Sequence, residues 1–393
     1  MKRRTLACVH AVWPAVLFCM GSATVVLGEE LVLTNIVRRP WGADVGWQSP
    51  DTRHFVSAAT PPAWNFERIT DVLADHTAAV TVDGPIGFYR VQRVQVVHVA
   101  DPNVEQGIRN AIVDKAAPVE DLYDFETIQV TNLVPFSVLI NKGVTDLTGL
   151  EHTALQSLNL SLNPGLSDLS PLAGLTTLTR LECLANQISD LSPLSNLVNL
   201  VSLEFPRNLV SDLSPLAALT NLERLWCFDN LITSLAPLVN MHKLTELLAR
   251  DNLISDLSPL AALIELQDLR LENNQISDIA PLAGLTNLRT CHLSSNEIED
   301  LAPVAGWSGV EVLRLDRNRI SDLAPLAGLL SLVDLRLANN EISEIGPLVA
   351  NALNGGLGAG SVVRLQGNPL SQSAIDTDIP MLISQGVTVI FDP

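Results

Sequence analysis

The chain has 393 residues, of which 47% are hydrophobic and 17% are charged. This composition excludes a disordered chain, because it supplies enough apolar surface for a long core, and the length allows two or three domains. The formal net charge of −19 disfavours nucleic acids and anionic membranes as partners.

The first 28 residues predict an export signal. Three basic residues at positions 2–4 precede an apolar stretch over residues 6–27, and Gly28 is a small residue before a cut at Glu29. No other stretch is apolar enough to span a bilayer. The pattern predicts a secreted protein, extracellular or periplasmic, with no transmembrane segment after cleavage; the alternative is an uncleaved membrane anchor.

Residues 29–98 predict a small β-sandwich of fibronectin or immunoglobulin type. Five β-like runs, at 31–36, 45–47, 55–58, 79–82 and 88–97, alternate with turn-forming residues. The expected core aromatics are Trp47, Trp64, Phe88 and Tyr89.

A helical N-terminal cap is expected next, over residues 99–132. Asp101 and Pro102 open a helical pattern in which Val104, Ile108 and Ile112 share one face.

Two residue series recur with a period of 22 and decide the architecture of residues 133–370. Prolines stand at 171, 193, 215, 237, 259, 281, 303, 325 and 347. Asparagines keep step with them, with one interval of 23 and one of 28. This period predicts leucine-rich repeats with about 11 strands. The longer interval contains a glycine-rich stretch, 354–360, that predicts a flexible insertion.

One repeat shows the chemistry of all of them. Leu269 and Leu271 alternate with polar residues, as in a short strand with one buried face. Asn274 follows and turns inward, where its amide must bond backbone groups of adjacent turns. The predicted asparagine ladder comprises Asn186, Asn208, Asn230, Asn252, Asn274, Asn296, Asn318 and Asn340.

The proline of each repeat begins a short helical turn, where its missing N–H does no harm. Serines directly before it are predicted caps: Ser170, Ser192, Ser214 and Ser258. Aspartates three positions before it are predicted turn formers: Asp168, Asp190, Asp212, Asp256, Asp278, Asp300 and Asp322. A row of calcium sites is the alternative reading of these aspartates, although no second acid accompanies each one.

The repeat unit resembles that of the internalins, as in Ile188-Ser-Asp-Leu-Ser-Pro-Leu and Gly284-Leu-Thr-Asn-Leu. The resemblance implies an α/β solenoid, a right-handed superhelix with a parallel concave sheet and a small helical N-terminal cap. It also implies a bacterial surface or secreted protein that grips partners with that sheet. Residues 371–393 are expected to form a C-terminal cap, with a helix at 374–384 and a strand at 387–391. The sequence ends at Pro393 without an LPxTG signal or hydrophobic tail, so sortase anchoring is not expected.

Repeat register predicts which side chains line the concave face, because the residue four before each asparagine lies between two inward residues. The predicted ligand-binding residues are Glu182, Glu204, Trp226, Phe228, Leu248, Arg250, Arg270, His292, Arg314 and Arg336. Trp226, Phe228 and Leu248 would form an exposed patch with the composition of a binding hot spot. The arginines could receive an acidic protein or a carboxylated glycan; a solvated salt-bridge lattice is the alternative.

No enzyme is predicted. Glu182 and Glu204 have the spacing of about 5 Å found in retaining glycosidases, but they lie on a shallow sheet beside Arg180 and Arg224. The histidines lack metal-ligand spacing, His292 reads as a surface residue, and neither a metal nor another cofactor is expected.

The predicted function is a monomeric, secreted module that binds a protein or glycan. The alternatives are a structural envelope spacer without a specific ligand and an intracellular regulator of a phosphatase. Three cysteines outside the signal replace core leucines and are expected to be buried free thiols: Cys183, Cys227 and Cys291.

Overall fold

The computed structural model describes residues 16–19, 32–39, 42–48, 52–59, 87–95, 101–104, 139–152 and 155–392. The chain forms two compact units. One comprises residues 1–98 and 114–129, and the other comprises residues 99–113 and 130–393.

The first unit contains one antiparallel sheet in the order β1-β5-β4-β3-β2. Its strands are β1 (Val16–Cys19), β2 (Val32–Arg39), β3 (Gly42–Gln48), β4 (Thr52–Ala59) and β5 (Gly87–Gln95). Four of the five predicted runs coincide with β2 to β5, and the fifth, 79–82, lies outside the described residues. The described strands do not include the second layer that a sandwich requires. The side chains of the predicted core aromatics lie outside what the structure describes. Strand β1 falls within the predicted export signal, so cleavage before Glu29 would remove it.

The second unit contains a parallel sheet of 11 strands in sequential order, which confirms the α/β solenoid. The strands are β6 (Ser157–Asn159), β7 (Arg180–Glu182), β8 (Ser202–Glu204), β9 (Arg224–Trp226), β10 (Glu246–Leu248), β11 (Asp268–Arg270), β12 (Thr290–His292), β13 (Val312–Arg314), β14 (Asp334–Arg336), β15 (Val362–Arg364) and β16 (Thr388–Ile390). Residues one repeat apart face each other across neighbouring strands, as Leu247 faces Leu269. Each strand from β7 to β15 therefore hydrogen-bonds to the repeats before and after it.

The core is a continuous aliphatic column inside the solenoid. In the repeat that begins at β11, Leu269, Leu271, Ile276, Ile279 and Leu282 are all at most 1% exposed. The three cysteines are free, buried thiols, as predicted; Cys183 and Cys227 occupy the repeat position of Leu271, and Cys291 occupies that of Leu269. Burial raises the pKa of Cys227 to about 12, so this thiol stays protonated and unreactive at neutral pH.

The predicted asparagine ladder is confirmed. The Oδ1 of Asn252 accepts a hydrogen bond from the N–H of Ile232 at 2.9 Å, and its Nδ2 donates to the carbonyls of Cys227 and Ala249, each at 3.1 Å. The residue before each ladder asparagine has a positive φ, as Asp251 does at 55°. That left-handed residue turns the chain sharply at the end of the strand and directs the asparagine inward.

The return path is a series of 3-10 turns, and each of them except the first, Leu150–His152, has its proline in the first turn. They span Leu150–His152, Ser170–Leu172, Ser192–Leu194, Ser214–Leu216, Ala236–Leu238, Ser258–Leu260, Ala280–Leu282, Ala302–Gly306 and Ala324–Gly328, and an α-helix, Gly346–Leu353, replaces the turn in the next repeat.

The prediction that serines cap these turns is wrong. Ser170 is itself the first residue of its turn, and the N-cap position is occupied by Leu169, so the turn has no side-chain cap. The Ser170 hydroxyl therefore follows the position from which a side chain accepts the first N–H groups of the turn. Instead, the Oδ1 of Asp168 accepts the N–H of Ser170 at 2.8 Å. The aspartates therefore act as turn formers, as predicted, and no group of three candidate metal ligands is found in the described ranges.

The expected insertion at 354–360 is folded around a buried asparagine rather than loose. Asn351 is 0% exposed. Its Nδ2 donates to the carbonyls of Leu326 and Leu329, both at 2.9 Å, and its Oδ1 accepts the N–H of Leu357 at 2.7 Å. This side chain stabilises both the preceding repeat and the insertion.

The ends of the unit contain the predicted elements where they are described. Residues 102–104 are helical, and the rest of the expected N-terminal helix lies outside the described residues. Near the C-terminus, a π-helical turn, Ala374–Asp378, continues into an α-helix, Ile379–Ser384, before β16. In the part of the chain that the structure describes, no helix is long and apolar enough to cross a bilayer.

Candidate binding surface on the concave sheet

The first and third residues of each three-residue strand point away from the core, because the middle residue is buried. Eight of the ten predicted concave residues therefore lie in one row across the sheet, and Phe228 and Arg250 follow two positions after Trp226 and Leu248. The register of the row, which also includes Arg364, is Glu182, Glu204, Trp226, Leu248, Arg270, His292, Arg314, Arg336 and Arg364. Adjacent members are separated by about 4.8 Å, the spacing of neighbouring strands. The row is acidic at β7 and β8, apolar at β9 and β10, and largely basic from β11 to β15.

Three members of this row are buried, which corrects the prediction that all of them are exposed. Glu204 is 7% exposed, Leu248 is 8% exposed and His292 is 4% exposed. On a concave sheet, outward side chains converge, and long neighbours on adjacent strands cover shorter ones. His292 is thus a packed residue rather than a surface residue. Its Nδ1 lies 2.9 Å from the Oε1 of Glu272.

The centre of the row is an aromatic patch, which we define as Trp226, Phe228 and Leu248. Trp226 and Phe228 are half-buried, and Leu248 forms the buried floor between strands. The guanidinium of Arg224 lies 5.7 Å from the ring centroid of Trp226, and that of Arg250 lies 4.2 Å from Phe228. The patch therefore combines aromatic faces with arginines stacked on them, an arrangement stabilised by cation–π attraction.

A carboxylate fixes the orientation of the indole. The Nε1 of Trp226 donates to the Oε1 of Glu246 at 2.8 Å, and the other oxygen of Glu246 pairs with Arg224 at 2.7 Å. Both the ring and the guanidinium are held before any partner arrives. A preordered side chain loses less conformational entropy on binding than a mobile one.

The acidic end of the row is internally paired. Arg180 lies between Glu182 and Glu204, with nitrogen–oxygen distances of 2.6 and 3.4 Å, and the hydroxyl of Ser202 donates to Glu204 at 3.1 Å. Asn159 also donates to Glu182. Burial, followed by repulsion from the Glu182 carboxylate, raises the pKa of Glu204 above its usual range, although Arg180 opposes this shift.

Glu204→Gln is expected to raise the melting temperature at pH 7 by about 1–3 °C. Because the folded protein binds the Glu204 proton more tightly than the unfolded chain does, stability is lost as pH rises through the raised pKa. Glutamine removes that loss and can still accept the Ser202 hydrogen bond. Melting curves of both proteins should therefore diverge at pH 7 and converge near pH 4. A variant that is destabilised at pH 7 would show that the charged carboxylate is favourable in the fold.

The arginines of the basic end differ in how completely they are neutralised. Arg270 forms two bonds with Asp268 on its own strand, at 3.0 and 2.8 Å. Arg314 and Arg336 share Asp334, at 3.1 and 3.2 Å. These ion pairs match the predicted salt-bridge lattice. The lattice is incomplete at Arg364, which has no salt bridge within the described residues.

A second apolar surface, which the sequence argument missed, lies just beyond the ladder. The residue after each ladder asparagine is an exposed leucine in three successive repeats: Leu209 at 51%, Leu231 at 49% and Leu253 at 43%. The equivalent residues on either side of this row are the glutamines Gln187 and Gln275. The change from glutamine to leucine at this position is visible in the sequence when the repeats are aligned on their asparagines. The leucine row lies on the same repeats as the aromatic patch.

Comparisons with known proteins agree with this architecture. Residues 220–262 and 264–306 match the family model described as leucine-rich repeats in two copies. No curated protein sequence matches the chain. Among solved structures, an internalin from Listeria monocytogenes is 29% identical, with a TM-score of 0.59 over 75% of this chain and 91% of its own.

Two further solved structures are similar over shorter parts of the chain. An internalin C2 from Listeria monocytogenes is 28% identical over 67% of this chain and 93% of its own, with a TM-score of 0.43. A leucine-rich-repeat protein of Leptospira interrogans is 23% identical, with a TM-score of 0.56 over 62% of each chain, and shares the fold. The repeats, the parallel sheet and the likeness to the Listeria monocytogenes internalin of 29% identity together support an internalin-like leucine-rich-repeat protein.

Proposed function

We propose that this protein is a secreted, non-enzymatic binding module that recognises a protein partner on the concave face of its repeat sheet. The aromatic patch carries this proposal. Trp226 and Phe228 remain half-exposed on a surface where most of the arginines are ion-paired, and interface hot spots are enriched in tryptophan and arginine near the centre of the contact.

The surroundings of the patch support the same interpretation. The polar residues that flank the aromatic patch in the concave row are ion-paired or partly buried. They form a rim around the patch, and such a rim excludes water from the centre of a contact. The leucine row (Leu209, Leu231 and Leu253) adds a second exposed apolar surface on the same repeats, beyond the ends of β8 to β10. Isolated surface apolar residues are common, but contiguous ones mark contact sites.

Export supports a partner outside the cytoplasm. The basic and apolar residues before Glu29 have the order of a secretory signal, and the internalin likeness is to a group of surface and secreted proteins. Envelope extracts and host-cell extracts are therefore the sources in which to seek the partner.

Trp226→Ala is expected to weaken binding of the partner by about 30-fold or more, because a hot-spot truncation costs at least about 2 kcal/mol. The test captures partners from these extracts on the immobilised wild-type protein, identifies them by mass spectrometry and measures their affinity for both proteins. Since Trp226 is half-exposed, the variant should retain the wild-type melting temperature within a few degrees.

Ile264→Ala is the matched control. It removes an apolar side chain that is 54% exposed in the loop between a 3-10 turn and β11, away from the concave row. Its affinity should equal that of the wild type. Equal capture by the wild type and the Trp226 variant would favour the alternative of a structural spacer, whose concave face has no specific ligand.

A further inference from the structure

Three arginines stand side by side at the basic end of the concave sheet. Arg314, Arg336 and Arg364 are direct neighbours in the register of β13, β14 and β15. Parallel strands place them about 4.8 Å apart. We call these residues the arginine cluster; it lies on a chain whose formal net charge is −19.

The acids near the cluster do not balance it. The same Oδ2 atom of Asp334 serves both Arg314, at 3.1 Å, and Arg336, at 3.2 Å. Two other acids lie nearby and are engaged elsewhere. The oxygens of Asp316 accept the N–H of Ala338 at 2.9 Å and the hydroxyl of Ser294 at 3.2 Å, and Asp392, just after β16, accepts the N–H of Gly367 at 2.6 Å. One carboxylate therefore pairs with two guanidinium groups.

Arg364 is the member with unused donor capacity. It forms no salt bridge with a described residue, and its Nε is buried without a hydrogen-bond acceptor. A buried N–H that lacks an acceptor costs free energy, which an incoming acceptor would recover. Guanidinium groups match carboxylates best, because two parallel N–H donors meet two oxygens.

We propose that the arginine cluster binds carboxylate side chains of an acidic segment in the protein partner. This inference rests on the proposed function and adds an orientation to it. The acidic residues Glu182 and Glu204 stand at the opposite end of the row, and the aromatic patch lies between the two ends. In this orientation, the acidic segment of the partner lies over β13 to β15. It is about 20 Å from the part of the partner that contacts the aromatic patch on β9 and β10.

The test uses a fluorescein-labelled hexaglutamate peptide, followed by fluorescence anisotropy at low ionic strength. The wild type should bind this peptide despite its negative net charge, and binding should weaken as salt is added. Arg364→Gln is expected to weaken binding about tenfold, which corresponds to the loss of one charge-assisted contact.

Arg319→Gln is the matched control, because it also removes one positive charge. Arg319 lies outside the concave row, is 53% exposed and already pairs with Glu297 at 3.2 Å. The affinity of this variant for hexaglutamate should stay within twofold of the wild type. An equal loss in both variants would overturn the proposal, because it would show that only the overall charge matters.

Absence of peptide binding at low ionic strength also overturns the proposal. If a sulfated heparin hexasaccharide then binds with dependence on Arg364, the arginine cluster is a site for sulfated glycans instead. Neither outcome affects the Trp226 test, since the peptide has no aromatic residue, so failure here is distinguishable from failure of the proposed function.

Discussion

Asn252→Ala is expected to lower the free energy of unfolding by about 3–5 kcal/mol, because it leaves several buried backbone groups without partners. Asn252 is 6% exposed. It accepts the N–H of Ile232 at 2.9 Å and donates to the carbonyls of Cys227 and Ala249 at 3.1 Å. Alanine would leave a cavity too small to rehydrate all three groups. Urea denaturation followed by circular dichroism measures the change.

The effect should also be transmitted along the solenoid. The Asn252 side chain joins its own repeat to the preceding one, and the stability of a repeat protein depends on contacts between neighbouring repeats. We therefore expect the Asn252 variant to unfold over a broader range of urea concentration than the wild type, since the two halves of the sheet become less coupled.

Asn221→Ala is the control for this prediction. Asn221 belongs to the same repeat region but lies near the surface, where its Nδ2 donates to the carbonyl of Val198 at 2.9 Å. Water can replace that bond, so the expected loss is below about 1 kcal/mol. Similar losses in both variants would contradict the special role of the buried ladder.

Trp307→Ala is expected to cost about 3–5 kcal/mol, the usual range for truncating a buried aromatic side chain. Trp307 is 0% exposed and is the largest fully buried side chain of the described residues. It stands where the neighbouring repeats have Leu285 and Leu329. Its Nε1 donates to the carbonyl of Leu282 at 3.1 Å, so packing and a hydrogen bond are lost together.

Trp307→Leu should be much milder, with a loss of about 1–2 kcal/mol. Leucine is the residue that the repeat has at this position, but it cannot donate to the Leu282 carbonyl. The same urea measurement separates the two variants. If leucine were as damaging as alanine, the repeat around Trp307 would be shaped for the larger ring rather than tolerant of it.

Much of the fold could be predicted from residue order. The 22-residue period placed Asn252 and its equivalents at one end of each strand, and chemistry required their amides to be paired. The predicted bonding to adjacent turns followed, because a buried amide in a stacked repeat has no other backbone groups within reach. The 22-residue period gave a wrong prediction in the longer interval that contains residues 354–360. The role of Asn351 was missed because it falls outside the ladder series, and the residues around it were read as a flexible insertion.

The candidate site was predicted less completely. Strand alternation alone placed Trp226, Phe228 and Arg250 on the concave face. This placement was sufficient to select Trp226 for mutation. The Arg224 stacking and the Glu246 hydrogen bond depend on rotamers of side chains from two strands. Strand alternation contains no information about rotamers, so these contacts were not predictable.

The sequence by itself determined which residues of this protein point inward and which line the concave sheet, because a strict period and strand alternation are local properties of the chain. Only the tertiary structure decided which outward residues are covered. Glu204, Leu248 and His292 are buried by neighbours that lie 22 residues away in sequence but one strand away in space. The sharing of Asp334 by two arginines, and the lack of a salt bridge between Arg364 and any described residue, likewise depend on side-chain distances across strands, and those distances are a property of the folded sheet.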